Sequence, residues 1–220
     1  RRAAADRAAL LTPIAKAFST DIGCEVASLG IQVHGGMGFI EDTGAAQPYR
    51  DVRITTIYEG TTAIQANDFI GRKIARDCGA ALAALLADAD RELAALDAAG
   101  TPHAAVVAAA RDAAREAVAA LAGAGRSVLV SWAQGPEHAF AVSVPLLRMT
   151  GHVLGGWLLA KSAAIAARRL AAGDTDTDFL RGKIASAQFY AAHVLPQVHA
   201  LGRVVERGAA SVVDIDAAVI

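Results

Sequence analysis

Glu59 is the residue of this chain best placed to do chemistry. It is the single charge in the run between Arg53 and Asp68, inside Ile57-Tyr58-Glu59-Gly60-Thr61. Apolar neighbours and few counter-charges disfavour an ionised carboxylate, so such a group is either a solvated surface residue or a base with a raised pKa. Most glutamates are solvated, and on the residues alone both readings stay open. Further upstream stands His34-Gly35-Gly36-Met37-Gly38-Phe39. Its glycines end a helix and let the backbone come close to a ligand, or they simply make a turn.

Other candidates carry less. His193 and His199 are six positions apart, on different faces of a helix, which does not suit a shared metal. Asp174, Asp176 and Asp178 alternate like a calcium loop but lack the following Gly and the distal Glu. His34, His103, His138 and His152 read as surface or hydrogen-bonded core groups. No Gly-rich phosphate loop, Ser-His-Asp order or Cys-X-X-Cys is present.

The elements that must position Glu59 and the glycines are helices. The chain has 220 residues, is 54% hydrophobic with alanine dominant, and is only 5% aromatic. That composition favours helices packed closely through small side chains. Leu10, Leu11, Ile14, Phe18, Ile22, Val26 and Leu29 recur at intervals of three and four, which predicts an amphipathic helix over residues 4 to 30. Pro13 is expected to kink it or to begin a new helix. A short helix over 45 to 52 and a longer one over 61 to 76 follow, the latter capped by Thr61 or Thr62. Past Cys78 and Gly79 a second helical unit begins. One helix there carries Leu82, Leu85, Leu86, Ala89, Leu93 and Leu96. A second runs from His103 to about Ala122, and residues 137 to 170 form a third, apolar nearly all round and hence central to a bundle. The last, on Leu180, Ile184, Ala187, Ala191, Val194, Val198, Leu201 and Val205, is expected to open with a cap at Asp176 or Thr177 and to bend at Pro196.

Charge excludes one class of partner. Net charge is −1, with eight basic and eight acidic side chains in residues 1 to 75 and thirteen against fourteen in 76 to 220, so no basic face for nucleic acid is expected. Cys24 and Cys78 have neither metal-ligand spacing nor the look of a disulfide framework, which fits a reducing, cytoplasmic setting. No uncharged run is long enough to span a bilayer. The first residues lack Met and a secretory signal and read like the middle of a helix, so the chain is expected to be part of something longer.

Gln32-Val33-His34-Gly35-Gly36-Met37-Gly38-Phe39, then Arg50 and Asp51, then Ile57-Tyr58-Glu59-Gly60-Thr61, resembles the C-terminal helical domain of the acyl-CoA dehydrogenases. Residues 80 to 207, ending in Phe189-Tyr190-Ala191-Ala192-His193-Val194-Leu195-Pro196, are similar to the extra C-terminal helical domain of a larger bacterial-type subgroup. The resemblance implies an all-α fold, with residues 1–78 as part of the catalytic helical domain and 79–220 as the additional bundle. It implies FAD as cofactor and an acyl-CoA thioester as substrate. Glu59 would be the base that takes the α proton while a hydride leaves the β carbon for the flavin. The Glu59 backbone amide would donate to the thioester carbonyl, with Gly60 giving that backbone room and Tyr58 beside the acyl chain. Gln32, Gly35 and Gly36 match contacts to the ADP part of FAD, and Thr61 a contact nearer the base. Arg50 and Asp51 match a structural pair ahead of the catalytic loop. Electron-transfer flavoprotein as acceptor, a homodimer or homotetramer, and a role in fatty-acid β-oxidation belong to the same implication. The family's N-terminal and middle domains have no counterpart in this sequence, so the chain alone is expected to hold no flavin and complete no turnover. Two rival readings are a non-catalytic interaction or oligomerisation module and a DNA-associated member of the superfamily; the even charge of residues 76 to 220 argues against the second.

Overall fold

Alanine's high helix propensity is realised throughout the chain. In the computed structural model, which describes residues 2–216 and 218, every regular element is helical. The first unit contains α1 (Arg2–His34), α2 (Gly36–Phe39), α3 (Ala46–Arg53) and α4 (Thr62–Asp68), with 3-10 turns at Glu41–Thr43 and Ile54–Thr56. After α4 the chain continues helically through a π turn (Phe69–Ile74) and a 3-10 turn (Ala75–Asp77). The second unit holds α5 (Ala80–Ala94), α6 (Ala104–Gln134), α7 (Pro136–Phe140), α8 (Ser143–Ala171), α9 (Thr177–Phe189), α10 (Gln197–Arg207) and α11 (Ala210–Val213).

α1 passes through Pro13 without ending, so the expected start of a new helix there does not occur. Pro13 lies on the buried face with Leu10, Ile14 and Ala17. A helix-interior proline costs about 3 kcal/mol. Full burial of flanking leucine and isoleucine side chains at about 1.5–3 kcal/mol each offsets that. α6 runs to Gln134, past the end expected at about Ala122. The small side chains there serve packing: a Cβ on Gly125 would lie 3.1 Å from Leu82 Cδ2, and Ala124 and Val128 are fully buried.

The segment expected as one helix from 137 to 170 is two, α7 and α8, with a turn at Ala141 and Val142. Pro145 accounts for the break, because a proline is tolerated in the first turn of a helix and not in its interior. α8 is central as expected. Residues Leu146, Leu147, Met149, Thr150, Gly151, His152 and Val153 are all buried, and α8 packs against α1, α4, α6, α9 and α10. Asp176 holds the N-cap position of α9 but makes no capping hydrogen bond; Asp174 instead accepts from Arg169 and from the Asp176 amide. Before Pro196, α9 loosens into a π turn (Tyr190–Val194), and α10 starts anew after the proline.

One buried cluster joins α1 and α4 to the second unit: Leu10, Ile14, Ala66 and Phe69 belong to the same core as Leu121, Leu146 and Val198. Arg7 pairs with Asp88 of α5, and Ser143 Oγ donates to Asn67 Oδ1 at 2.8 Å. Among the described residues no helix is long and apolar enough to cross a membrane, and no three His, Cys, Asp or Glu side chains converge as metal ligands.

Candidate active site

Among the described residues Glu59 is one of two non-glycine residues with positive φ, at 56°, and Gly60 follows at 93°. A left-handed backbone costs a non-glycine residue about 1–2 kcal/mol. It persists only where the surroundings over-determine it. Here the surroundings are explicit. Ile57 N–H and Tyr58 N–H donate to Ile54 C=O at 3.0 and 3.1 Å, and Gln65 N–H donates to Thr61 C=O at 3.0 Å. Gln65 Nε2 donates to Glu59 C=O at 2.9 Å, and Lys16 Nζ donates to Gly60 C=O. A Cβ on Gly60 would come within 3.1 Å of Gln65 Nε2, so both its φ and the room around it call for glycine. These bonds leave the Glu59 amide out. Thr61 takes the N-cap of α4, its hydroxyl accepting from Ile64 N–H at 3.4 Å.

α1 supplies the frame. Lys16, Asp21 and Cys24 lie along one side of it and touch in turn the Gly60 carbonyl, the Thr62 hydroxyl at 2.9 Å and the Val52 carbonyl at 3.7 Å. Between α1 and this segment lies an open groove of about 590 Å³, lined among others by Ser28, Tyr49, Ile57 and Thr61. The Glu59 side chain is exposed, as are Ile54, Ile57, Tyr58 and Ile64 around it. The apolar surroundings expected for a base are therefore present only in part.

The glycine turn sits elsewhere on the same helix. Gly35 ends α1 with φ 61°, its amide donating to Gln32 C=O at 3.0 Å, and a Cβ on Gly35 or Gly36 would meet nothing within 4 Å. Gly38 packs back on α1, where a Cβ would strike Ile31 C=O at 2.4 Å. Gln32, Gly35 and Gly36 are exposed. Lys16 and Gln32 are sixteen residues apart on α1, roughly 24 Å of helix axis. The two motifs thus share one rigid element without meeting. Arg50 makes a two-pronged bond to Glu41, at 2.7 and 2.8 Å, in place of the expected structural pairing with Asp51. His193 stacks on Phe189 and His199 Nε2 lies 3.1 Å from Glu116, so the two imidazoles have separate partners.

Lys16, Asp21 and Gln65 are site residues that sequence reasoning missed. In the sequence, Lys16 reads as the solvent side of an apolar repeat, and its partner is a backbone atom 44 positions away, which no pattern of side chains encodes.

Fold and site together define an all-helical region in two units that presents one carboxylate on a constrained turn. Residues 1–75 match the family model described as acyl-CoA dehydrogenase, C-terminal domain, and residues 80–216 the model described as acetyl-CoA dehydrogenase C-terminal like; the chain belongs to the acyl-CoA dehydrogenase family. It is 46% identical over 203 residues to the 3-methylmercaptopropionyl-CoA dehydrogenase of Ruegeria pomeroyi, covering 91% of this chain and 33% of that protein. It is 33% identical over 214 residues to a broad-specificity linear acyl-CoA dehydrogenase of Mycobacterium tuberculosis, covering 95% of this chain and 35% of that protein. An acyl-CoA dehydrogenase from Bacillus anthracis, solved in complex with FAD, has the same fold with a TM-score of 0.58 at 16% identity, over 91% of this chain and 33% of that one. The chain spans about a third of the length of the relatives it matches.

Proposed function

We propose that this chain is the C-terminal part of an FAD-dependent acyl-CoA dehydrogenase, which introduces an α,β double bond into an acyl-CoA thioester, with Glu59 as the α-proton base. In this reading residues 1–78 complete the catalytic helical domain and 79–220 form the additional bundle. The observation that carries it is the Glu59 turn: a non-glycine residue at φ 56°, its carbonyl and the next both held by side chains, its carboxylate in no ion pair among the described residues.

Each residue's part is the one the family resemblance implies, and the geometry of the turn supports it. The Glu59 carboxylate takes the α proton, and its amide, unused within the turn, donates to the thioester carbonyl and stabilises the enolate oxygen that develops. Tyr58, beside Glu59 and exposed, lies along the acyl chain, and Gly60 lets the thioester approach the backbone. The apolar cover that a base of this kind needs comes from the rest of the enzyme, over Ile54, Ile57 and Ile64. The residues present suit peripheral contacts to FAD: Gly35 and Gly36 offer open backbone, and Gln32 an exposed amide side chain, with Thr61 closer to the base. Bound FAD supplies the acceptor for the β hydride. Electron-transfer flavoprotein is the proposed acceptor beyond it, in a homo-oligomeric, cytoplasmic enzyme.

Glu59→Gln in the full-length enzyme keeps the side chain's shape and removes the base. Flavin reduction by acyl-CoA should slow by at least about two orders of magnitude. A rate near wild type in anaerobic stopped-flow would end this reading.

A further inference from the structure

We propose that Lys16 is a positioning residue for the Glu59 turn, clamping the Gly60 carbonyl from α1 while Gln65 clamps the Glu59 carbonyl from α4. The inference rests on the reading of Glu59 as the base and adds what holds that base in place.

Two consecutive left-handed residues do not stay folded by local hydrogen bonding alone, since none of the turn's backbone bonds involves Glu59 or Gly60. The carbonyls of both are instead held by side chains from two different helices. The Lys16 bond is charge-assisted and so among the stronger kind. Lys16 is half-buried, which lowers the competition from water, and its ammonium also lies 5.9 Å from the Tyr58 ring centroid, within cation–π reach. One cation therefore touches the residue before Glu59 and the residue after it. Its own place is fixed by α1, whose flanking Ile14 and Ala17 are buried. Thus α1 transmits the rigidity of the core to the turn, and Glu59 is aimed by a residue that need not touch substrate.

The test uses Lys16→Met, which keeps length and removes the donor, and Lys16→Arg, which keeps a donor. In the full-length enzyme Lys16→Met should lower kcat about tenfold or more with KM within about threefold, since misplacing a catalytic group acts on the reacting geometry. Lys16→Arg should recover most of the rate, which a merely structural role would not require. In the 220-residue chain, without flavin, amide hydrogen exchange at Ile64 and Gln65, the amides that close onto Thr61, should accelerate about tenfold in Lys16→Met. Unchanged exchange overturns the clamp, and accelerated exchange with unaltered kcat overturns its role in positioning. If exchange accelerates in Lys16→Met while Glu59→Gln reduces flavin at the wild-type rate, it is the base assignment that fails, and with it the catalytic meaning of the clamp.

Discussion

His152 is 3% exposed, and among the described residues Tyr190 is its only polar side-chain hydrogen-bond partner. The Tyr190 hydroxyl donates to the His152 carbonyl at 3.2 Å, so the imidazole must donate from Nδ1 to that hydroxyl at 3.3 Å. Nε2 is left bare and buried, with the Phe18 ring edge-on at 5.1 Å between centroids. Burial first, and the Arg148 guanidinium second, push the His152 pKa down; Glu25, paired with Arg148, opposes them in part. A histidine whose folded pKa lies below its unfolded value contributes stability that is fully present above the unfolded pKa near 6.5, and that is lost as pH falls below it. Thermal stability of the chain should therefore drop between pH 7 and pH 5, this residue accounting for at most about 1.4 kcal/mol per pH unit. His152→Asn, which keeps a donor toward Tyr190 and removes the titration, should flatten that slope; identical slopes in calorimetry would refute it. At this scale the sequence was legible where the proposed site is linear. Glu59 and its glycine sit in one short motif, whereas His152, Tyr190 and Lys16 acquire their roles from partners 38 and 44 positions away.

α8 illustrates what decides an element. Gly151, Gly155 and Gly156 leave room on this helix for close approach by its neighbours, and those neighbours lie in the chain itself. A Cβ would meet the Phe18 ring at 2.2 Å, Tyr190 Oη at 2.6 Å and Leu195 Cδ2 at 2.8 Å, respectively. Gly155→Leu should then destabilise by about 1–3 kcal/mol through overpacking. For a chain of this length each kcal/mol is worth about 2–4 °C in melting temperature. Gly182 of α9 is the control, because nothing lies within 4 Å of its Cβ position and Gly182→Ala should stabilise by up to about 1 kcal/mol. Equal melting temperatures for Gly155→Leu and the parent chain would show that the face is loosely packed. Helix existence was legible from periodicity. Helix ends were not, because Pro13 is outweighed by burial around it, whereas Pro145 sits where a helix tolerates it only at its start, and local sequence does not say which applies.

At the scale of the whole molecule, apolar exposure is uneven. The stripe that predicted α1 is buried at Leu10 and Ile14 but exposed at Val26 and Leu29, and beyond it Val33 is 86% and Phe39 80% exposed, with Met37 and Ile40 beside them. Patterning alone marked Leu10 to Leu29 as one face, and could not reveal that its far end stays exposed within these 220 residues. Large apolar side chains clustered on a surface mark an interaction face. In the proposed enzyme that face lies against the remaining domains or a second subunit, which distinguishes it from a core by a simple measurement. Val33→Ser and Phe39→Ser remove almost no buried area from the chain by itself, and each should change its stability by no more than about 0.5 kcal/mol. In the full-length enzyme the same substitutions should each lower the melting temperature or weaken assembly, since burying a side chain of that size is worth about 1.5–3 kcal/mol. Parallel calorimetry and light scattering on both proteins checks this. Equal, small effects in both would mean that the face stays open to solvent in the enzyme, and a large loss in the 220-residue chain would mean that it is covered there already.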